Sequence, residues 1–298
     1  MQLCGILPEH GKASTGSTDS SLSYEEGLEA MSMPESWVRG AMLVRINALI
    51  RGHSAVRQSV IETLAKLLRN NIVPFVPLHG SISASGDLSP LSYIAGAIEG
   101  NPDVYVWTGP KGSRKLTRAS ECLKSFTIEP ILFGPKESLG ILNGTAFSAA
   151  VAGLAMHDAN NLALLAQVLT AMGVEALTGS TESFDPFISS IRPHRGQNEV
   201  AKNISVALIG SRLVQESRDR DSRSLRQDRY ALRTASQWLG PGTEDLLLAT
   251  EQVETELNST TDNPSIDVES QQTFHGGNFQ AASMTSSTEK TRYCSNSF

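Results

Sequence analysis

The stretch Asn71 to Tyr93, NIVPFVPLHGSISASGDLSPLSY, decides the reading of this chain. Its three prolines and two glycines demand particular backbone angles and mark a loop-rich segment. At its centre stands His79-Gly80-Ser81-Ile82-Ser83-Ala84-Ser85-Gly86-Asp87-Leu88-Ser89-Pro90-Leu91. Taken alone, Ala84-Ser85-Gly86 is a tight turn. Its setting is unusual, because small residues, an aspartate and a proline come just before an apolar helical pattern that resumes near Pro90.

Working outward, the segment before the loop is helical. Val60, Ile61, Leu64, Leu67 and Leu68 recur on one helical face, and Asn70, Asn71 and Pro74 end it. After the loop, Val104 to Thr117 predicts a short hairpin turning at Gly109-Pro110-Lys111-Gly112. Glu137 to Leu177 is rich in Ala, Leu and Met with few charges, the pattern of a helix in the middle of a bundle. Within it Ser138 to Met156 carries no formal charge and meets the length of a membrane span, but its glycines, polar residues and alanines read as buried core. Ser211 to Arg233 holds seven arginines against four acids and reads as a solvated face or loop. Glu244 to Glu256 is helical again, and Tyr293 to Phe298 shows no periodicity.

The chain has 298 residues and a formal net charge of −6, which argues against a nucleic-acid or anionic-membrane partner. Cys4, Cys122 and Cys294 are too few for a disulfide framework and form no CxxC pair, so reduced thiols in a cytoplasmic protein are expected. Met1 to Glu9 lacks the basic start and apolar run of a signal peptide. The six histidines do not pair at metal-ligand spacing, and GxSxG, Walker A and GxGxxG motifs are absent. No metal is expected.

With its flanks, the loop resembles the electrophile segment of the aromatic amino acid ammonia-lyases and related aminomutases. That resemblance implies a mainly α fold: an elongated helical bundle with a loop-rich, electrophile-bearing segment and a small β excursion. In the family, Ala-Ser-Gly cyclises into a methylidene-imidazolone, so Ala84, Ser85 and Gly86 would be its precursors and no cofactor need be bound from solution. The residue types suit that chemistry. The Gly86 nitrogen must approach the Ala84 carbonyl, which a residue without Cβ permits. Ser85 would lose its hydroxyl as water, and strain in the loop would favour closure. The electrophile would capture the substrate amine and turn it into a better leaving group.

Further matches run along the chain. Arg39-Gly40-Ala41-Met42, Arg51 to Arg57 and Gly134 to Thr145 (GPKESLGILNGT) are similar to family segments, as are Gln227 to Arg233 (QDRYALR), Thr261-Asp262-Asn263-Pro264 and His275 to Gln280. By these matches Asn143 would hydrogen-bond electrophile and substrate. Arg233 would pair the substrate carboxylate in bidentate fashion. Tyr230, assigned a catalytic role, and Gln227 would line the electrophile, and Phe279 would stack near it. Read from the residues alone, Asn143 is a satisfied core amide, and Gln227, Tyr230 and Arg233 are solvated loop residues. Gln2-Leu3-Cys4-Gly5-Ile6-Leu7-Pro8 is similar to a ring-contacting segment of fungal phenylalanine ammonia-lyases, with Gln2 matching its glutamine and Met1 standing where a histidine belongs.

The resemblance also predicts an incomplete domain. The family's catalytic tyrosine loop has no counterpart near Met1, and Tyr24 lacks its glycine-rich setting. The expected organisation is one incomplete catalytic domain over 1–298. It comprises an irregular segment 1–34, an electrophile-bearing part 35–135, a core helical part 136–292 and an unrelated tail 293–298. The implied activity is non-oxidative deamination of L-phenylalanine to trans-cinnamate and ammonia, by a cytoplasmic homotetramer that takes a small aromatic L-amino acid. The alternatives are a non-catalytic truncated paralogue assembling with full-length subunits, or a tyrosine ammonia-lyase or aminomutase.

Overall fold

A computed structural model describes residues 31–82, 84–110, 112–215, 227–296 and 298. The chain is mainly helical and divides into two compact units. The first takes residues 1–151 and 255–284, and the second residues 152–254 and 285–298.

The first unit begins with α1 (Glu35–Leu49) and α2 (Gln58–Arg69), followed by β1 (Val73–Pro74) and α3 (Leu88–Glu99). Then come β2 (Tyr105–Thr108), β3 (Lys115–Arg118), α4 (Ala119–Ser125), α5 (Glu137–Leu142) and the start of α6 (Ala146–Ala176). On α2 the residues Val60, Leu64 and Leu67 are fully buried, as their spacing predicts. The helix ends at Arg69, and Asn71 takes a positive φ of 54° before Pro74. Val38, Met42, Leu64, Leu67, Ile94 and Phe147 belong to one core.

The expected hairpin is present, and β1 adds a third antiparallel strand through the pair Val73 and Trp107. Arg114 pins its turn. Its Nη1 donates to the Asn71 carbonyl at 2.9 Å, and its Nε to Glu35 of α1 at 2.9 Å. A second hairpin, β4 (Ser265–Asp267) with β5 (Gln272–Phe274), was not foreseen. All three β5 residues are exposed, so no alternation of apolar side chains announced it.

The second unit holds the rest of α6, a 3₁₀ turn (Thr181–Phe184), α7 (Pro186–Ser190) and α8 (Arg195–Ala207). It continues with α9 (Tyr230–Arg233), α10 (Ala235–Leu257) up to Glu254, and α11 (Ala282–Ser295) from Thr285. Val174, Phe184, Val200, Ile204 and Leu239 form its core. Helices α8 and α10 approach backbone to backbone, and a Cβ on Gly240 would stand 2.6 Å from the Gln197 nitrogen. Glycine is required at that approach. Helix continues through Tyr293, Cys294 and Ser295, where no periodicity was evident.

The apolar stretch around α6 differs from the expectation of burial all round. Ala159, Ala163, Gln167, Ala171 and Val174 form the buried stripe. Leu164, Leu165, Val168, Leu169 and Met172 are each at least half exposed. Small side chains admit a close helix neighbour, whereas the leucines point the other way. Among the described residues, Glu137–Ala176 is long and apolar enough to cross a membrane by length and composition, and 61% of its most apolar window is buried within the fold.

Candidate functional site

The loop before α3 is closed by Asp87, whose side chain is buried. Ser81 Oγ lies 2.8 and 2.7 Å from the two Asp87 oxygens, and the Ile82 N–H donates to Oδ1 at 3.2 Å. The Asp87 N–H donates to the Gly144 carbonyl at 3.0 Å. These bonds bring both ends of the loop together and leave Ala84, Ser85 and Gly86 as its far side. The Ala84 N–H turns back on the Ile82 carbonyl at 2.6 Å. From the other side, the Ala281 N–H donates to the Ala84 carbonyl at 3.2 Å, and Ser85 pairs with Gln280 in an isolated antiparallel bridge.

Gly86 has φ +64°, in the left-handed region that glycine occupies without strain. A Cβ there would stand 2.9 Å from Asn143 Oδ1 and 3.4 Å from the Phe279 Cβ. Asn143 and Phe279 therefore stand beside the loop at Gly86. Ser85 is exposed, so its side chain is open to solvent.

Behind Asn143 lies a buried charge cluster that the sequence reading did not single out. Asn143 Nδ2 is 3.4 Å from Asp262 Oδ1 and 3.4 Å from the Asn263 carbonyl. Asp262 has a side chain with 0% exposure and pairs with Lys136 Nζ at 2.9 Å. Lys136 Nζ also donates to the Ser54 carbonyl at 2.9 Å. Arg45 is fully buried, donates through Nη1 to the Thr261 carbonyl at 3.3 Å, and donates through Nη2 to the Gly140 carbonyl. Burial pulls the Arg45 guanidinium down to about 10, against the opposing pull of the Asp262 charge, so it stays charged at neutral pH. A signal was available: Val38, Ala41, Met42, Arg45, Ala48 and Leu49 share one helical face, which places an arginine among apolar residues.

Gln227, Tyr230 and Arg233 belong to the second unit. Gln227 and Arg233 line a cavity of about 380 Å³ together with Ser180, Glu182, Asp228 and Gln237. The Arg233 guanidinium lies 5.2 Å over the Tyr230 ring, within cation–π range. Asp228 fastens this segment by accepting the Ser180 N–H at 2.7 Å. Tyr230 is 73% exposed. Gln2 and Tyr24 lie outside the described residues, as does most of the arginine-rich tract. No group of three or more His, Cys, Asp or Glu suited to a metal occurs among the described residues.

A mainly helical fold carrying an Ala-Ser-Gly loop, closed by a buried aspartate and walled by an asparagine and a phenylalanine, matches the class that the sequence suggested. The model of the aromatic amino acid lyases matches residues 8–297, and the chain belongs to that family. It is 58% identical over 272 residues to phenylalanine ammonia-lyase lenB of Aspergillus lentulus, covering 90% of this chain and 37% of the relative. It is 52% identical over 299 residues to phenylalanine ammonia-lyase str11 of Strobilurus tenacellus, covering 98% of this chain and 40% of the relative. The crystal structure of phenylalanine ammonia-lyase from Rhodosporidium toruloides superposes with a TM-score of 0.82 at 51% identity, over 88% of this chain and 39% of that one. Phenylalanine aminomutase of Pantoea agglomerans superposes at 0.80 with 28% identity, over 89% and 52%. The chain thus spans about two fifths of the length of the curated relatives it matches.

Proposed function

We propose that the chain carries the electrophile-bearing part of a phenylalanine ammonia-lyase, which converts L-phenylalanine to trans-cinnamate and ammonia. The observation that carries this reading is the geometry at Gly86. Its left-handed backbone is walled by Asn143 on the side where a Cβ would stand, and the Ala84 carbonyl accepts the Ala281 N–H.

In this reading the Gly86 nitrogen bonds to the Ala84 carbonyl carbon, and the carbonyl oxygen leaves as one water with the Gly86 and Ser85 N–H hydrogens, leaving a C=N bond between the Ala84 carbon and the Ser85 nitrogen. Ser85 loses its hydroxyl and its α-hydrogen as a second. The Ala281 N–H polarises the carbonyl under attack. The Ser81–Asp87 closure holds the ends of the loop at fixed separation, so ordering is complete before the reaction. A methylidene-imidazolone at Ala84, Ser85 and Gly86 supplies an electrophile for the substrate amine. Asn143 and Phe279 flank that site. Arg233, with Gln227 and Tyr230 in the same segment, offers a fork-shaped partner for a carboxylate. Assembly as a cytoplasmic homotetramer is part of the same reading.

The test is the mass of the proteolytic fragment containing residues 79–93 from the purified chain. Loss of two waters is expected, and Ser85→Ala should block the serine dehydration. A wild-type fragment of unaltered mass overturns the electrophile. Cinnamate release from phenylalanine, measured with and without a longer homologous subunit, then tests the activity.

The exposed leucines of α6 favour a second reading, in which the chain acts by assembling with longer subunits and has no activity of its own. Co-purification with a full-length homologue, without cinnamate release attributable to this chain, distinguishes it.

A further inference from the structure

We propose that Asp262 is a positioning residue for the Ala84–Gly86 loop: its carboxylate orients the Asn143 amide so that the oxygen, not the nitrogen, abuts Gly86. The proposal rests on the reading above for what the loop does, and it adds a residue that never touches the loop itself.

A side-chain amide has a donating end and an accepting end, and its neighbours decide which way it lies. Asn143 Nδ2 faces two oxygens that only accept, Asp262 Oδ1 and the Asn263 carbonyl, each at 3.4 Å. Turning the amide over would set its oxygen against both, with no donor between them. In the low dielectric of a buried site that repulsion is strong. Asn143 is 8% exposed, so water has little room to relieve it.

The orientation holds only if Asp262 is fixed, and the structure provides for that. Lys136 Nζ lies 2.9 Å from Oδ2. The Asn263 N–H donates to Oδ1 at 2.7 Å. Lys136 is itself anchored by the Ser54 carbonyl, and Arg45 places a second buried cation on the neighbouring Thr261 carbonyl. Oδ1 of this held carboxylate is the acceptor that faces Asn143 Nδ2.

The consequence falls on Gly86. The Asn143 oxygen stands 2.9 Å from the place of an absent Cβ, and so forms the wall that limits how far the Gly86 backbone can swing. That backbone carries the nitrogen that must reach Ala84. If Asp262 is altered, the amide is released, the wall moves, and closure slows.

The experiment compares four full-length chains: wild type, Asp262→Asn, Asn143→Asp and the double exchange Asn143→Asp with Asp262→Asn. Three quantities are read: the fraction of the 79–93 fragment that has lost two waters, hydrogen exchange in that fragment, and the melting temperature. Asp262→Asn should slow water loss by about tenfold to a hundredfold, the range for a misplaced reacting group. Asn143→Asp should slow it as well, because two carboxylates then meet. The double exchange places a carboxylate at 143 and an amide at 262, returns an oxygen to Gly86, and should recover most of the rate.

Maturation at the wild-type rate in Asp262→Asn overturns the proposal. So does a double exchange no better than either single change, which is the outcome for a merely structural aspartate. If wild type keeps both waters, the electrophile reading has failed, and hydrogen exchange still decides this proposal. Faster exchange at 79–93 in Asp262→Asn, reversed in the double exchange, supports it, and unchanged exchange overturns it. If the variants do not fold, an atomic-resolution crystal structure of the wild type reads the amide directly, and Nδ2 against Gly86 overturns the assignment.

Discussion

Arg57 grips Glu137 with two parallel hydrogen bonds, Nε to Oε1 at 2.7 Å and Nη2 to Oε2 at 2.6 Å. The Arg57 and Gly134 N–H groups add a bond to each oxygen at 3.0 and 2.7 Å. The carboxylate thereby fixes the start of α5, the helix that ends at Leu142 just before Asn143. The Arg57 side-chain bonds hold the Glu137 carboxyl down to about 2, against the opposing effect of burial and helped by the two backbone donors. A depressed folded value means stability that is present above the unfolded value and lost as pH falls through the folded one. The contribution is therefore complete above the ordinary 4.5 and disappears as pH falls from there through about 2. Glu137→Gln should melt below wild type at neutral pH, and the two melting curves should converge as acid is added.

Gly144 has φ +154°, and a Cβ there would stand 2.5 Å from both Arg45 Nη1 and the Thr261 carbonyl oxygen. Gly144→Ala forces apart the buried cluster behind Asn143, and it should cost about 1–3 kcal/mol, the scale of overpacking a dense interior. Gly276 has nothing within 4 Å of its absent Cβ, so Gly276→Ala should stay within ~0.5 kcal/mol of wild type. Denaturant unfolding of the two variants checks the contrast.

Cys122 and Cys294 are free and buried thiols. Burial pushes the Cys122 thiol up to about 11, and burial followed by the Asp245 charge raises Cys294. Little thiolate exists at neutral pH, and the sulfurs are inaccessible, so both should resist iodoacetamide in the native chain. Both should be alkylated after denaturation. Mass spectrometry of the digested protein reads both states, and native labelling at Cys122 would contradict the packing described for the first unit.

Asp228 accepts the Ser180 N–H, and a Cβ on Gly179 would meet its Oδ2 at 2.8 Å. Removing this carboxylate leaves a backbone donor unpaired at the start of the 3₁₀ turn and frees the segment bearing Gln227, Tyr230 and Arg233. Asp228→Ala should raise hydrogen exchange in fragments around 177–183 and 227–234 together. Faster exchange in only one of them would mean that Asp228 does not couple the two.

Local features carried the sequence reading. The buried face of α2 follows from side-chain periodicity, and the loop at Gly80 to Asp87 follows from residues that permit unusual backbone angles. Arg45 was legible too, as a charge on an apolar helical face, although it was not singled out. The hairpin Ser265–Asp267 with Gln272–Phe274 was not legible, because one strand is uniformly half-buried and the other uniformly exposed, so neither carries hydrophobic alternation. The outward leucines of α6 were equally hidden, since an apolar sequence does not say which of its faces a neighbour covers.

The sequence by itself determined the class of fold, the loop and its Ala84-Ser85-Gly86, and the membership that several ordered motifs express together. The first two are properties of short stretches, governed by backbone preference and side-chain period, and the third rests on resemblance. Only the tertiary structure decided that Asp262, separated by 119 positions, stands behind Asn143, and that Lys136 and Arg45 surround it. Such a cluster arises from the packing of distant segments around buried charge, where each partner is chosen by what must be neutralised in its absence from water.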